Sequence, residues 1–435
     1  MGRFAFVLTA ATAALAMTPL SAVAQTAAQP LSLQEAIARA LGDNPTLAAA
    51  EQQQYATRES ISQARAPGLP QVTGSASYQS SEQVLPDLFG GGTGTLDTTS
   101  YQIEATQAIF AGLANWNAIR QAKANVRAGE ANLHGVRQQI ILDVITAYVD
   151  VQRDRAVLDL RNNNVSVLTR QREAAQARFR VGEVTRTDVA QAEARLATAR
   201  AQVFAARAQL AASEATFEAI VGVPAGSLAA APAAPATPPD TGEALNFARE
   251  NAPAIIAARE TELASRRGAQ AAKGALAPRV EGYARYAEAE NPSFFQDESE
   301  ETTVGVRATI QLFAGGQNYS RIRQTKRQNS ADRLRIVEAE RLTRQQVISA
   351  WTLLDSARET IRSATASVEA NEIAFEGVRQ EAQVGARTTL DVLDAEQELL
   401  DARVQLVSAR RDENVAAYSL LSAIGALTPE RFGLQ

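Results

Sequence analysis

The sequence predicts a mostly α-helical chain with a β-barrel part, built as a duplicated unit of strand pair plus long helical hairpin. Three features predict it. An internal repeat of about 200 residues runs through the chain. Four short stretches alternate apolar and polar residues. Two long proline-free stretches are each followed by a heptad stripe.

The repeat is read from matched landmarks. Asn44-Pro45 recurs as Ala252-Pro253, and Pro70-Gln71-Val72 as Pro278-Arg279-Val280, both 208 residues apart. Phe110-Ala111-Gly112 recurs as Phe313-Ala314-Gly315, now 203 apart, so the first copy has the longer loop between Tyr78 and Phe110. The 203 offset then holds: Ala147-Tyr148 matches Ala350-Trp351, and Gly222 matches Gly425. Between Val181–Leu196 and Val384–Leu399, eight of 16 positions are identical. The predicted layout is 1–24 signal peptide, 25–228 first repeat, 229–242 linker, 243–427 second repeat and 428–435 tail.

The N-terminus reads as an export signal. Arg3 supplies the positive start, Phe4 to Leu15 is apolar, and Ala22-Val23-Ala24 gives a small-x-small cleavage pattern before Gln25. The run is too short for a span of about 20 residues and ends at Pro19. Each repeat then opens with a helix carrying Pro near its start, Leu33 to Arg65 and Glu243 to Lys273.

The alternating stretches follow. In the first, Val72, Gly74, Ala76 and Tyr78 lie opposite Thr73, Ser75, Ser77 and Gln79. In the last, Val304, Val306, Ala308, Ile310 and Leu312 alternate with Thr303, Gly305, Arg307, Thr309 and Gln311. Period two is a strand signal. Strands are expected at 70–82, 99–110, 278–288 and 301–313. About ten residues of such alternation suit an outer-membrane barrel strand; a pair of half-buried hairpins in a soluble domain is the other reading. Four strands do not close a barrel alone, so a barrel requires several chains. The joining stretches, Gly-rich 83–98 and acidic 288–301, read as flexible solvent loops.

The helices come next. From Ala111 to Arg180 and from Gln317 to Gln383 there is no Pro. Seventy helical residues span roughly 105 Å. Behind them Val189, Leu196, Val203, Leu210 and Phe217 alternate with Ala192, Ala199, Ala206, Ser213 and Ile220. The second copy matches with Val392, Leu399, Leu406 and Leu420 against Ala395, Ala402, Ala409, Ala416 and Ala423, broken by Glu413. A sustained heptad means a left-handed coiled coil. Gly182 and Gly385 suit helix C-termini, and Thr185/Asp188 and Thr388/Asp391 have capping-box-like spacing. Each repeat therefore ends in a helical hairpin with a tight tip.

Composition narrows the function. The 435 residues carry 43 basic and 48 acidic side chains, a net charge of -5, against the basic face of a nucleic-acid binder. There is no Cys, which excludes disulfides, thiolate chemistry and N-terminal Cys lipidation. The single histidine, His134, excludes a His-based metal cluster within one chain and reads as structural. No nucleophile–base set or phosphate loop is evident, so no catalytic, cofactor or metal residues are assigned.

The signal peptide, the duplicated strand pair with helical hairpin, the doubled motif VGxxTxxDVxxAExxL and the closing Ser422-Ala423-Ile424-Gly425 together resemble the TolC-like outer membrane factor family, over essentially the whole mature chain. The resemblance implies a homotrimer in the outer membrane of a Gram-negative bacterium. Its twelve-stranded barrel would continue into a twelve-helix coiled-coil tunnel across the periplasm. It implies a passive duct for an inner-membrane pump of RND, ABC or MFS type and its periplasmic adaptor, in drug efflux or type I protein secretion. A periplasmic coiled-coil spacer without a channel accounts for the helices but not for the strands.

The site residues are expected at the tips. Asp391 caps by position. Asp394 lies beyond the cap, and the first repeat has Gln191 there. The two share a helix face at i,i+3. Three chains would bring six carboxylates around one axis, a cation-binding constriction. By resemblance this pair is the acid ring of the entrance. By resemblance Arg387 and Asp188 match residues that tie neighbouring coils, and Thr187 beside Asp188 is expected to share in that latch, although Ala382 stands where the better-known pattern has Tyr. The adaptor-docking tip comprises Val181, Gly182, Thr185, Val189, Val384, Gly385, Thr388 and Val392.

Overall fold

The computed structural model describes residues 30–85 and 91–434; the expected signal peptide lies outside them. The elements run α1 (Leu33–Asp43), α2 (Pro45–Arg65), β1 (Gln71–Leu85), β2 (Gly92–Ala111), α3 (Ala114–Arg180) and α4 (Arg186–Val221). The second copy repeats them as α5 (Thr241–Asn251), α6 (Pro253–Lys273), β3 (Arg279–Ser293), β4 (Gln296–Thr309), α7 (Gln317–Gln383) and α8 (Thr389–Ala423).

The opening helix of each repeat is two helices, a correction with a local cause. Proline forces the residue before it out of the helical region, and Asn44 and Ala252 sit extended at ψ 120° and 121°. Asn44 turns the break into a cap: its Oδ1 accepts from Thr46 N at 2.9 Å, and its Nδ2 donates to Ile220 O at the end of α4, 3.2 Å away. Ala252 has no such side chain. The backbone of Gly425, at φ +82°, lies against this second break instead. A Cβ on Gly425 would lie 2.6 Å from the Asn251 carbonyl carbon and 3.0 Å from Ala252 N. Gly425→Ala is therefore expected to cost about 2–4 kcal/mol, left-handed strain plus overpacking. Thermal melting beside Gly226→Ala, where a Cβ meets open space, checks it.

α3 and α7 each run 67 residues, about 100 Å at 1.5 Å per residue. Towards the sheet, α2 and α6 flank α3, and α6 also packs on α7. Away from it, α4 and α8 flank α3, and α8 also packs on α7. The protomer is thus a wall in which α8 has helices on both sides and α4 is an edge. The core lies at mid-height, where α1, the linker and the chain end cross the wall: Ile37, Ile141, Ile145, Phe217, Leu354, Leu420 and Leu427 are fully buried. Burial of each such side chain stabilises by roughly 1.5–3 kcal/mol. Buried Tyr148 directs its hydroxyl at Leu31 O and Ala229 O, 2.9 and 2.7 Å away. Ala231 N donates to Gln152 and Arg431 donates to Ala236 O, so the Pro-rich linker is strapped to the wall.

The four strands form one antiparallel sheet in the order β1-β2-β3-β4, so the β2–β3 ladder joins the two repeats. Two expectations need correction here. The acidic stretch 288–301 is mostly ladder, with Glu288 opposite Glu300 and Glu290 opposite Glu298. The Gly-rich stretch is also paired as far as Leu85 with Gly92; residues 86–90 are outside the described set. Register already fixed by the apolar alternation carries the polar tips along. At the other end β4 stops at Thr309, because its partner β3 starts at Arg279 and offers nothing to Ile310 or Leu312. The chain then turns into α7 through Gly315 and Gly316, φ +56° and +82°.

Candidate functional site: barrel wall and hairpin tips

Register assigns the faces of the sheet. Residues directly opposite one another share a face, and one row crosses all four strands as Val72, Ala105, Ala284 and Val304. The next row towards the hairpin ends is Gly74, Ile103, Tyr286 and Thr302. The other face carries Thr73, Glu104, Arg285 and Thr303 in one row and Ser75, Gln102, Ala287 and Glu301 in the next. The apolar face is bare: Val72 is 69% and Val304 78% exposed in the chain. β1 and β4 each keep one unpaired edge within the chain. A sheet apolar outside, polar inside and open at both edges is a segment of a barrel wall in lipid.

The far ends of the helices hold two matching turns. After α3, Gly182 at φ +77° closes the helix, with Gly182 N donating to Phe179 O and Glu183 N to Arg178 O. After α7, Gly385 at φ +82° does the same, with Gly385 N donating to Ala382 O and Ala386 N to Glu381 O. This is the left-handed helix end that favours glycine. The next helix starts in a complete capping box each time. Asp188 N donates to Thr185 Oγ1 at 3.3 Å, and Thr185 N donates to Asp188 Oδ2 at 2.8 Å. Asp391 N donates to Thr388 Oγ1 at 3.2 Å, and Thr388 N to Asp391 Oδ2 at 2.9 Å. Hydrogen bonds from Thr388, with Arg387 nearby, hold the Asp391 carboxyl below the usual carboxylate range; those from Thr185 do the same for Asp188.

Three further tip charges, Arg387, Arg178 and Asp394, have partners that the sequence did not reveal. Arg387 donates to Glu381 at 2.8 Å, and Arg178 to Glu183 at 2.7 Å. Asp394 is paired with Arg195 of α4, 2.5 Å apart, both side chains nearly half exposed. Asp188 and Arg387 are each held on their own hairpin, and Thr187 is exposed in the first turn of α4. Val181, Gly182, Val384 and Gly385 are exposed, while Val392 is buried and Val189 half-buried at the start of the coil. Arg195 left only a faint signal, a cation in α4 within three turns of its cap.

Comparison with known proteins decides the identity. The family pattern of outer membrane efflux proteins matches residues 36–223 and 244–426, one match per repeat. The chain belongs to the outer membrane efflux protein family. It is 33% identical over 378 residues to the outer membrane efflux protein BepC of Brucella suis biovar 1 (strain 1330), covering 87% of this chain and 81% of that one. To the outer membrane protein TolC of Vibrio cholerae it is 25% identical over 417 residues, 92% of each chain. Its fold matches the Campylobacter jejuni CmeC outer membrane channel at a TM-score of 0.81 and 16% identity, covering 91% of this chain and 85% of that one. This efflux-family chain is thus an outer-membrane channel-tunnel of the TolC type for efflux or secretion, reaching from the outer membrane into the periplasm. Channels of this family are trimers that act with adaptors and inner-membrane pumps. Among the described residues no helix is long and apolar enough to cross a membrane.

Proposed function

We propose that the two tips form the periplasmic entrance of a passive duct, closed at rest, and the docking site of its adaptor. The supporting observation is the pair of matching turns, exposed at the end of 67-residue helices that lead away from the barrel. Asp391 and Asp394 ring the entrance in the trimer. Thr185 and Thr388 use only the Oδ2 atoms of the cap acids, so the second oxygen of Asp188 is left for Arg387 of a neighbouring coil, with Thr187 beside it. That latch works without an aromatic residue at Ala382. The chain does no catalysis; its energy comes from a pump of RND, ABC or MFS type. The adaptor seats on Val181, Gly182, Thr185, Val189, Val384, Gly385, Thr388 and Val392.

Gly385→Val tests the docking. No atom within 4 Å opposes a Cβ there, so the variant acts only by forcing a β-branched residue to φ +82°. That strain is about 1–2 kcal/mol, confined to the tip. The expected result is an intact trimer that copurifies with less adaptor and exports less. Normal adaptor recovery and export from this variant removes the tip as the docking site.

A further inference from the structure

The α3–α8 seam just inside the tips buries polar atoms without partners beside a small apolar cluster. Its apolar part is one small cluster: Leu168 of α3, Leu196 and Ala199 of α4, and Leu393 of α8. Polar atoms buried without a partner flank it. Glu396 lies one turn beyond Leu393 away from the tip, 7% exposed, with its Oε2 unpartnered. Asn164 lies one turn beyond Leu168 in the same direction, 6% exposed, with its Nδ2 unpartnered. On the tip side, Arg172 Nε is buried and unpartnered too. The duplication does not demand a buried acid here: the counterpart Glu193, 203 residues earlier, is exposed and accepts from Gln176 at 3.1 Å. Glu396 is buried because α8 has helices on both sides.

We propose that Glu396 is a proton-operated wedge in the α3–α8 seam: its neutral carboxyl lets the seam close, and its carboxylate drives the seam apart and biases the tunnel entrance towards opening. A buried carboxylate without a counter-ion is costly, whereas the neutral acid is tolerated. The cations of the packed helices are engaged elsewhere. Arg195 of α4 pairs with Asp394, and Arg161 of α3 donates to Gln202 and faces Asp401. Arg172 of α3 pairs with Glu173, and on the α7 side Glu372 takes Arg403 and Glu376 takes Arg379. Arg170 of α3 acts on Glu396 through space, and Glu398 and Asp401 add like charge on its own helix. Burial prevails over Arg170 and pushes the Glu396 carboxyl up to about 7.

The sign follows. The packed seam binds the proton more tightly than a solvated Glu does. Its stability is therefore full below the ordinary Glu range near 4.5, falls as pH rises through about 7, and stays low above. The entrance is therefore tighter in mild acid than in mild alkali. This reading rests on the channel-tunnel identity of the chain and not on the acid ring or the docking tip.

The absence of Cys allows a clean label. A spin label on Val384→Cys in the purified trimer reports the distance between the three tips by pulsed electron resonance. The expected result is a short distance at pH 5.5 and a growing long-distance population by pH 8, a shift of roughly tenfold in the closed-to-open ratio. Glu396→Gln, close in shape and unable to ionise, should stay short at both pH values. Glu396→Leu, which fills the seam with apolar volume, should do the same and guards against a misfolded Gln variant. Three outcomes overturn the proposal: no pH response in the parent, an unchanged response in the Glu396 variants, or a response abolished by Asp391→Asn with Asp394→Asn while Glu396 is intact.

Discussion

Val304→Arg should abolish the trimer from the outer membrane, while Ser75→Arg should leave it nearly as abundant as the parent. Both residues lie on strands of the same sheet, one on each face. Val304 belongs to the row Val72, Ala105, Ala284, Val304, apolar across all four strands. A barrel presents that row to hydrocarbon, where Arg costs about 2–4 kcal/mol near the midplane. Three copies multiply this to roughly 6–12 kcal/mol per trimer, comparable with the whole stability of a typical domain. Ser75 stands opposite Gln102 on the polar face, where a charge meets water in the lumen. Heat-modifiable trimer in outer-membrane fractions is the measurement. Equal loss of both variants means that the faces are not lipid and lumen, and the barrel assignment falls.

Much of this architecture was legible in the sequence, because its signals are local and duplicated. The tip motif states its own geometry: Gly for a positive φ, then Thr and Asp three apart for the cap, and both copies fold that way. The strands were legible through period two. Their ends were not, because a strand end is set by its partner: β4 stops where Arg279 begins β3, although Ile310 and Leu312 continue the alternation. The helix breaks at Asn44 and Ala252 were announced by the following prolines and read as mere starts. The heptad was read as one stripe per helix. That holds for α4, which buries Ala192, Leu196, Ala199 and Val203. In α8 both Val392 and Leu393, then Leu399 and Leu400, are buried, since a helix with two neighbours needs two stripes. Glu396 was invisible for the same reason. So was the Arg195–Asp394 pair, 199 residues apart in the chain, which depends on how α4 and α8 approach across the wall.

That pair bears on the acid ring proposed at the entrance. Multivalent cations added on the periplasmic side of the reconstituted trimer should block its current, and Asp391→Ala with Asp394→Ala should relieve the block. Each carboxylate removed takes three charges from the ring, an expected weakening of roughly tenfold or more per substitution, about 1.4 kcal/mol of cation binding. The side costs differ. Asp391→Ala also deletes the acid that accepts from Thr388 N, which loosens the start of α8 by removing half of its capping box. Asp394→Ala breaks a half-exposed ion pair with Arg195, worth about 0–1 kcal/mol after solvent screening. Asp391 gives the block one pH limit. Its carboxyl is held below the usual range by its cap bonds, so its charge is complete above that range and is lost only as pH falls through its depressed pKa. The part of the block that Asp391 supplies should therefore persist into mild acid and fail only under stronger acid. Arg195→Ala separates the ring from ordinary tip solvation. Removing that cation frees Asp394 to face the pore, so the block should tighten in this variant and loosen in Asp394→Ala. A double variant that keeps the parent's block, or an Arg195→Ala channel no more sensitive than the parent, places the constriction elsewhere in the tunnel.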